Sequence, residues 1–189
     1  MERRTEINVN RNEYATHEDF CAIFRNHLDP LYLLALILAG DELIAEKCFL
    51  AAFDSCAEES RVFRDSALSW SRRSVIKNAI RIMLPTSGNS SRQCLVGKRN
   101  GLDIDKNGPL KCVHDLPPLD RFVFVMSVLE RYSDHECAVL LGCSRTDILP
   151  ARIRALQQIS RFEKDYPVHS GRLSHMWLIP TGLNADEYL

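Results

Sequence analysis

The feature that most constrains the fold is a pair of helix-capping patterns on either side of a glycine, in the C-terminal third of the chain. Ser133 and Glu136 stand three residues apart, so each side chain can accept a hydrogen bond from the other residue's backbone N–H at a helix start. Gly142 can adopt the left-handed conformation that ends a helix, and Ser144 with Asp147 repeats the capping pattern directly afterwards. The sequence therefore predicts two helices joined by a tight turn, the arrangement of a helix-turn-helix.

Pro150 leaves two interpretations of where the second of these helices begins. If Ser144 is the cap, Pro150 falls in the second helical turn, where its missing N–H and a steric clash cost about 3 kcal/mol. If Asp147 is the cap, Pro150 takes the third helical position, whose N–H has no partner within a helix. The first interpretation, with a distorted helix, is slightly favoured.

The N-terminal half carries its own helix signals. Thr16 and Asp19 form a third capping pattern, and residues 31–39 are apolar on every side, which predicts a helix at the centre of its domain. Gly40 is predicted to end that helix and Asp41 to begin the next one. The residues predicted to point inward from this next helix are Leu43, Phe49, Leu50 and Phe53.

Residues 62–84 are predicted to form a helix and are the most basic segment of the chain. Arg73, Lys77 and Arg81 recur every four residues, so they lie on one face, and Trp70 lies beside them. A cationic face with an aromatic side chain suits phosphate contacts and base stacking. A solvated face with Trp70 in the core explains the same residues equally well, so the chemistry of the segment leaves both interpretations open.

The composition narrows the classes of function. A formal net charge of −1 over 189 residues gives no overall attraction to a polyanion, so nucleic-acid binding would depend on local basic faces. The longest apolar run is too short to cross a membrane and the charged start lacks a signal-peptide pattern, so a cytoplasmic protein without a membrane partner is expected. The sequence has no nucleophile–base pair, phosphate loop or paired-carboxylate motif, so an enzyme is not expected.

The seven cysteines predict reduced thiols, because their number is odd and they include no C-x-x-C pair. The best metal-ligand candidates are His17 with Cys21, one helical turn apart, and a second set of two cysteines and two histidines. The residues of this second set are Cys112, His114, His135 and Cys137. Neither group has the second close pair that a tetrahedral zinc site needs, so the sequence predicts buried thiols, no metal site and no cofactor.

Residues 116–159 resemble region four of the bacterial sigma-70 proteins, especially the small extracytoplasmic-function group. In that family a Leu-Pro-Pro opening, a helix capped by Ser-x-x-Glu and a Leu-Gly-x-Ser turn follow one another, as they do here. Residues 31–53 are similar to the opening helices of sigma region two. Residues 69–80 are similar to the tryptophan-containing helix that melts and holds the −10 strand in the family.

The resemblance implies an all-α protein of two small helical domains joined by a flexible linker, the C-terminal one a helix-turn-helix. The polar sequence between them agrees with this plan, in which a tether lets each domain reach its own promoter element. The implied divisions are a disordered N-terminus (residues 1–15), a region-two-like domain (16–84), a flexible linker (85–115), a region-four-like domain (116–164) and a C-terminal tail (165–189).

The resemblance also implies a transcription initiation factor that binds promoter DNA and core RNA polymerase, with an anti-sigma factor as a further partner. The DNA-binding residues implied in the C-terminal domain are Arg145, Thr146, Arg152, Arg154 and Arg161. Those implied in the N-terminal domain are Trp70, Arg73, Lys77 and Arg81. The residues implied for polymerase binding are Asp41, Glu42 and Glu46.

Two departures from the family pattern favour other functions. About one helical turn of the polymerase-docking segment is missing after Glu46, which predicts weak polymerase binding. Leu149 and Pro150 stand where the family commonly carries a lysine and a small polar residue. One alternative is therefore a helix-turn-helix DNA-binding regulator without polymerase docking. The other is a degenerate sigma-like module that binds protein through Leu149, Pro150 and Ile153.

Overall fold

The computed structural model describes residues 13–58, 61–84 and 109–165, and over these ranges the chain is all-α. The first group of helices comprises α1 (His17–Asn26), α2 (Leu28–Ala39), α3 (Glu42–Ala57) and α4 (Ala67–Met83). The second group comprises α5 (Pro109–His114), α6 (Pro118–Phe124), α7 (Asp134–Leu141) and α8 (Arg145–Asp165). A single 3-10 turn, Arg64–Ser66, precedes α4, and a π-helical turn, Val125–Leu129, follows α6.

Two predicted capping boxes are confirmed at the starts of α1 and α7. At α1 the Thr16 hydroxyl accepts the N–H of Asp19 at 3.2 Å, and the Asp19 carboxylate accepts the N–H of Thr16 at 2.8 Å. The pair Ser133 and Glu136 repeats this geometry at 3.3 and 2.9 Å. Each box satisfies backbone donors that a helix start would otherwise leave unpaired.

Helix α2 is buried over half of its length, in agreement with its apolar sequence. Six of its residues are buried, namely Leu31, Leu34, Ala35, Ile37, Leu38 and Ala39. It ends at Gly40, which has a φ of 72°, and the carboxylate of Asp41 then accepts the N–H of Ile44 to begin α3. No helix of the described residues is long and apolar enough to cross a membrane alone, and the α1–α2 pair that reaches this length together is bent by 78°.

The prediction for the buried face of α3 was wrong for two residues. Leu43 is 67% exposed and Leu50 is 52% exposed. The residues of α3 that are buried are small: Ala45, Cys48, Ala52 and Cys56. Small side chains let α3 approach α2 and α4 closely, so a stripe of alanine and cysteine faces the core in place of the larger leucines. Phe49 and Phe53 contact the ring of Phe24 edge-on, at centroid distances of 5.3 and 5.2 Å.

Helices α6, α7 and α8 pack around a shared apolar core. Phe122, Val125 and Met126 are fully buried, and so is Ile148 near the start of α8. Gly142, with a φ of 64°, makes the turn between these two helices. These apolar residues belong to one core in the described part of the chain.

The Ser144 interpretation of the start of α8 is confirmed. The Ser144 hydroxyl accepts the N–H of Thr146 at 3.3 Å, and the Asp147 carboxylate accepts the N–H of Ser144 at 3.2 Å. Helix α8 runs from Arg145 through Pro150 to Asp165 without ending at the proline. The ring therefore lies in the second turn, where it removes one hydrogen bond from the exposed side of the helix.

The predicted boundaries are met only in part by the described residues. Residues 13–15, expected to be disordered, lie beside the 3-10 turn, where the N–H of Ala15 donates to the carbonyl of Val62 at 2.7 Å. Residues 109–114, expected to belong to the linker, form α5, and its Cys112 and Val113 are buried. The rest of the predicted linker and most of the predicted N-terminus and tail lie outside the described residues.

The two helix groups contact one another. Arg72 on α4 makes a two-pronged ion pair with Glu130, which directly follows the π-helical turn, and its Nε lies 2.8 Å from Oε2. Helix α2 packs against α5, and Arg121 of α6 lies against Gly40 at the end of α2. Buried residues of both groups belong to one hydrophobic core. The division into two separate domains is therefore not confirmed and stays a prediction.

Candidate nucleic-acid interface

A cavity of about 230 Å³ lies beside α4, next to its contact with α3. The four residues that the sequence predicts on the cationic face, Trp70, Arg73, Lys77 and Arg81, all line it. Its other lining residues are Ser55, Ser74 and Asn78. The spacing of three and four residues along α4 places these side chains one above another on one face of the helix.

The polar side of the cavity is held in place by hydrogen bonds within the protein. Asn78 Nδ2 donates to the carbonyl of Ser74 at 2.9 Å and to Ser55 Oγ at 3.3 Å. Asn78 Oδ1 in turn accepts a hydrogen bond from Arg81 Nη2 at 2.7 Å. Because Asn78 is buried and bonded on both sides, it fixes one edge of the Arg81 guanidinium and leaves the other edge for a ligand.

Trp70 and Lys77 form the apolar and cationic sides of the cavity. The ammonium of Lys77 lies 5.8 Å from the centroid of the Trp70 ring, a cation–π contact. Trp70 is half-buried, so its ring has a fixed position but keeps accessible surface, while Lys77 is exposed on a flexible stem. This combination suits a planar base beside the ring and a phosphate on the ammonium.

The charge of the cavity is entirely positive. Of the seven described residues that line it, three are cationic and none is acidic. Glu136 of α7 pairs with Arg73, and its carboxylate oxygen lies 3.9 Å from Arg73 Nη1. A concave surface of one charge sign raises the local concentration of oppositely charged ligands, so the cavity attracts anions although the chain as a whole is nearly neutral.

Arg73 belongs both to the cavity and to the contact between the helix groups. Its guanidinium lies 5.7 Å from the ring centroid of Tyr132, besides its ion pair with Glu136. Burial raises the pKa of Tyr132, so this ring is a neutral surface for the cation. An anion in the cavity would therefore compete with Glu136 for Arg73.

The C-terminal residues predicted to bind DNA fall into two sets. Arg145, Thr146 and Arg161 are exposed on α8. Arg152 and Arg154 instead make ion pairs within the protein. Arg152 contacts Asp134 at 3.0 Å, and Arg154 makes hydrogen bonds of 3.0 and 2.6 Å to the buried carboxylate of Asp120.

The hydrogen bonds that Arg154 donates to Asp120 raise the pKa of Arg154, so this arginine stays charged. Its bond to Asp120 ties α8 to α6, and the Arg152 pair ties α8 to the start of α7. Both arginines thus have structural partners, and their contact with DNA stays a prediction. The exposed outer face of α8 instead carries Leu149, Ile153 and Leu156.

The residues predicted to bind polymerase lie at the start of α3. Asp41 is the N-cap of this helix, so its carboxylate is engaged with the backbone of Ile44. Glu42 and Glu46 are exposed, and the exposed Leu43 lies between them in sequence. These two acids and the leucine form a mixed acidic and apolar surface, which is separate from the residues that line the cavity.

Cys21, Cys48, Cys137 and Cys143 are free thiols. Burial raises the pKa of the Cys48 thiol and of the Cys137 thiol to about 11, so both are protonated and unreactive near neutral pH. His17 Nδ1 lies 3.5 Å from the sulfur of Cys21, and within the described ranges these two are not joined by a third metal-ligating side chain. Cys94 lies outside the described residues.

Some partners of the α4 side chains could not be predicted from sequence. Glu130 lies 58 positions from its partner Arg72, and Ser55 lies 23 positions from Asn78. No local pattern connects residues at such separations. Asn78 itself had a usable signal, since it lies four positions after Ser74 and three before Arg81 on the same helix.

No known protein family model matches this chain, and no curated protein matches it. The resemblance to sigma-70 proteins therefore rests on the motifs quoted above, and the function argued from it is a proposal.

Proposed function

We propose that this chain is a sigma-70-like transcription initiation factor whose α4 cavity holds a strand of unpaired promoter DNA. The observation that carries the proposal is the convergence of Trp70 with Arg73, Lys77 and Arg81 on a cavity that no acid of the described ranges lines. A single strand offers both ligands that such a cavity suits, because its bases have free π-faces and its phosphates are regularly spaced.

The geometry of α7 and α8 supports a second contact with DNA. Two helices joined at a left-handed glycine, the second of them capped by Ser144, support the proposed helix-turn-helix. Arg145, Thr146 and Arg161 are exposed and suit contacts with phosphates. Because Arg152 and Arg154 are engaged with acids of the protein, we expect this duplex contact to be weaker than the single-strand contact at α4.

The binding of single-stranded DNA should depend on the cavity residues. We expect Lys77→Ala and Arg81→Ala each to reduce the slope of log affinity against log salt by about 0.7, the value for one phosphate contact on a single strand. Trp70→Ala should weaken binding by about 5- to 150-fold, as expected for the loss of one stacked base. Fluorescence anisotropy of a labelled oligonucleotide at two salt concentrations measures all three effects.

A matched control for this experiment is Lys47→Ala. Lys47 is an exposed cation on α3 that does not line the cavity, so its loss should leave the salt slope unchanged. Circular dichroism establishes that each variant is folded before its affinity is measured. Equal losses for Lys47→Ala and Lys77→Ala would mean that the chain binds DNA only through its general charge, and would refute a site at the cavity.

Core RNA polymerase is the proposed protein partner, held weakly by the acidic and apolar surface at the start of α3. Only Glu42 and Glu46 of the three predicted acids have carboxylates that are not engaged in capping the helix. We expect polymerase subunits to co-purify with the chain at low salt and to be lost at high salt, because an exposed acidic surface is strongly screened. Assembly that resists high salt would contradict this prediction. An anti-sigma factor stays a proposed partner that the family resemblance alone implies.

A second candidate function is a protein-interaction module without DNA binding. The observation that favours it is the apolar outer face of α8, where Leu149 and Ile153 are 51% and 45% exposed. Large exposed apolar residues in a row are typical of a surface that binds protein. Absence of single-strand and duplex binding at low salt would favour this second function over the first.

A further inference from the structure

Helix α8 is apolar on two opposite sides. Its inner side, with Ile148, Ala151 and Ala155, is fully buried against α6 and α7. Its outer side carries the α8 stripe, which we define as Leu149, Ile153 and Leu156. These three residues are 51%, 45% and 43% exposed, and their spacing of four and three residues places them in one continuous row.

The stripe has a cation at one end. Arg145 is exposed in the first turn of α8, just before Leu149. Arg152, on the flank of the stripe, is neutralised by its ion pair with Asp134. A partner that covers the stripe would therefore be apolar along the length of the row and acidic next to Arg145.

The sequence that follows α8 has this composition. Residues 176–179 are Met-Trp-Leu-Ile, the longest apolar run after the helix, and two acids, Asp186 and Glu187, come after this run. Pro167 stands two positions after the last residue of α8 and disfavours a continuation of the helix. The apolar run and the acids thus occur in the order that an antiparallel return along α8 requires.

The connection is long enough for this return. Residues 166–175 separate the end of α8 from the apolar run. A segment of ten residues can span about 33 Å, whereas the helix from Ile153 to Asp165 rises by about 18 Å. Closing a loop of this length has a small entropic cost that grows only slowly with further residues.

We propose that residues 176–179 dock on the α8 stripe of the same chain, with Asp186 and Glu187 beside Arg145. This docking does not depend on the proposed function. Its regulatory consequence does rest on the proposed function, because a docked tail would cover the face that α8 presents to duplex DNA.

Trp177 reports directly on the docking. The chain has two tryptophans, so Trp70→Phe leaves Trp177 as the only indole emitter. In this background we expect Trp177 to emit at shorter wavelength than in the unfolded chain, and to be shielded several-fold from a soluble quencher. The double substitution Leu149→Gln and Ile153→Gln should shift the emission to that of a solvated indole and remove the shielding.

The control is Leu43→Gln, which replaces a leucine of α3 that is 67% exposed, and it should leave the Trp177 emission unchanged. Leu43, Leu149 and Ile153 are all exposed, so their replacement should leave the helices intact. Circular dichroism checks that each variant, including the Trp70→Phe background, is folded. A fully solvated Trp177 in the native chain, or equal shielding in the stripe variant and the control, would overturn the proposal. Shielding that appears only as the protein concentration rises would also overturn it, because it would mean docking on a second copy.

A last experiment tests the docking separately from the proposed DNA-binding function. In the full chain, Trp177→Ser should strengthen binding to duplex DNA several-fold if the tail covers the reading face. Failure of every variant to bind DNA would refute the proposed function while the fluorescence result still decides the docking. Duplex affinity unchanged by Trp177→Ser, with docking established by fluorescence, would overturn only the regulatory consequence.

Discussion

Replacing Glu130 with alanine is expected to lower the free energy of unfolding by about 3 kcal/mol, the lower end of the range for breaking a buried ion pair. The side chain of Glu130 is 7% exposed and that of its partner Arg72 is 17% exposed. The pair makes two hydrogen bonds, so alanine at position 130 leaves the Arg72 guanidinium partly desolvated and without its carboxylate. Urea denaturation followed by circular dichroism measures the change.

Arg64→Ala is the matched control for this prediction. Arg64 pairs with Asp19 at 3.1 Å, but the two side chains are 47% and 29% exposed, so loss of this pair should change the free energy of unfolding by less than about 1 kcal/mol. The double variant Arg72→Ala and Glu130→Ala should lose less stability than the sum of the two single variants, because the second substitution removes an already unpaired charge. A Glu130→Ala loss as small as that of Arg64→Ala would mean that the pair is solvated and does not join the helix groups.

The same pair bears on how the two helix groups behave. It links α4 to the end of the π-helical turn, and Arg73 adds contacts to Tyr132 and Glu136 beside it. If the groups fold as one cooperative unit, the wild-type chain should unfold in a single transition. The number of unfolding transitions therefore tests the predicted division into two domains, because two independent domains would unfold in two transitions.

The helix boundaries and caps could be predicted from sequence because their causes are local. Thr16, Ser133 and Ser144 each bond within three residues, so the pattern that predicts the cap already contains both partners. The cationic face of α4 was predictable for the same reason, since helical periodicity alone places Arg73, Lys77 and Arg81 together.

The buried face of α3 and the pairings between helices could not be predicted in this way. Hydrophobicity favoured Leu43 and Leu50 for the core, whereas close packing against α2 and α4 selected the smaller alanines and cysteines. Arg152 and Arg154, which were predicted to contact DNA, pair with acids that only the tertiary fold brings near them. Both outcomes depend on which helices become neighbours, and this information is absent from any single segment.

Gly40→Ala should lower the free energy of unfolding by about 3 kcal/mol, because the added Cβ causes both backbone strain and a steric clash. Gly40 has a φ of 72°, and a residue with a Cβ in this left-handed conformation is strained by about 1–2 kcal/mol. The added Cβ would also lie 2.7 Å from Nη1 of Arg121. Arg121 is only 6% exposed and its Nη1 donates to the carbonyl of His114 at 3.4 Å, so it has little space to move away.

Gly142→Ala isolates the first of these causes. Gly142 has a φ of 64°, but its Cβ would meet no atom of the described residues within 4 Å, so the expected loss is the strain alone, about 1–2 kcal/mol. Arg121→Met tests the second cause, because it removes the guanidinium and its buried Nε, which has no hydrogen-bond partner among the described residues. Burial also lowers the pKa of Arg121, so the charge is held there at a desolvation cost. We therefore expect Gly40→Ala to lose less stability in the Arg121→Met background than in the wild-type chain, and equal losses would place the whole effect in the backbone.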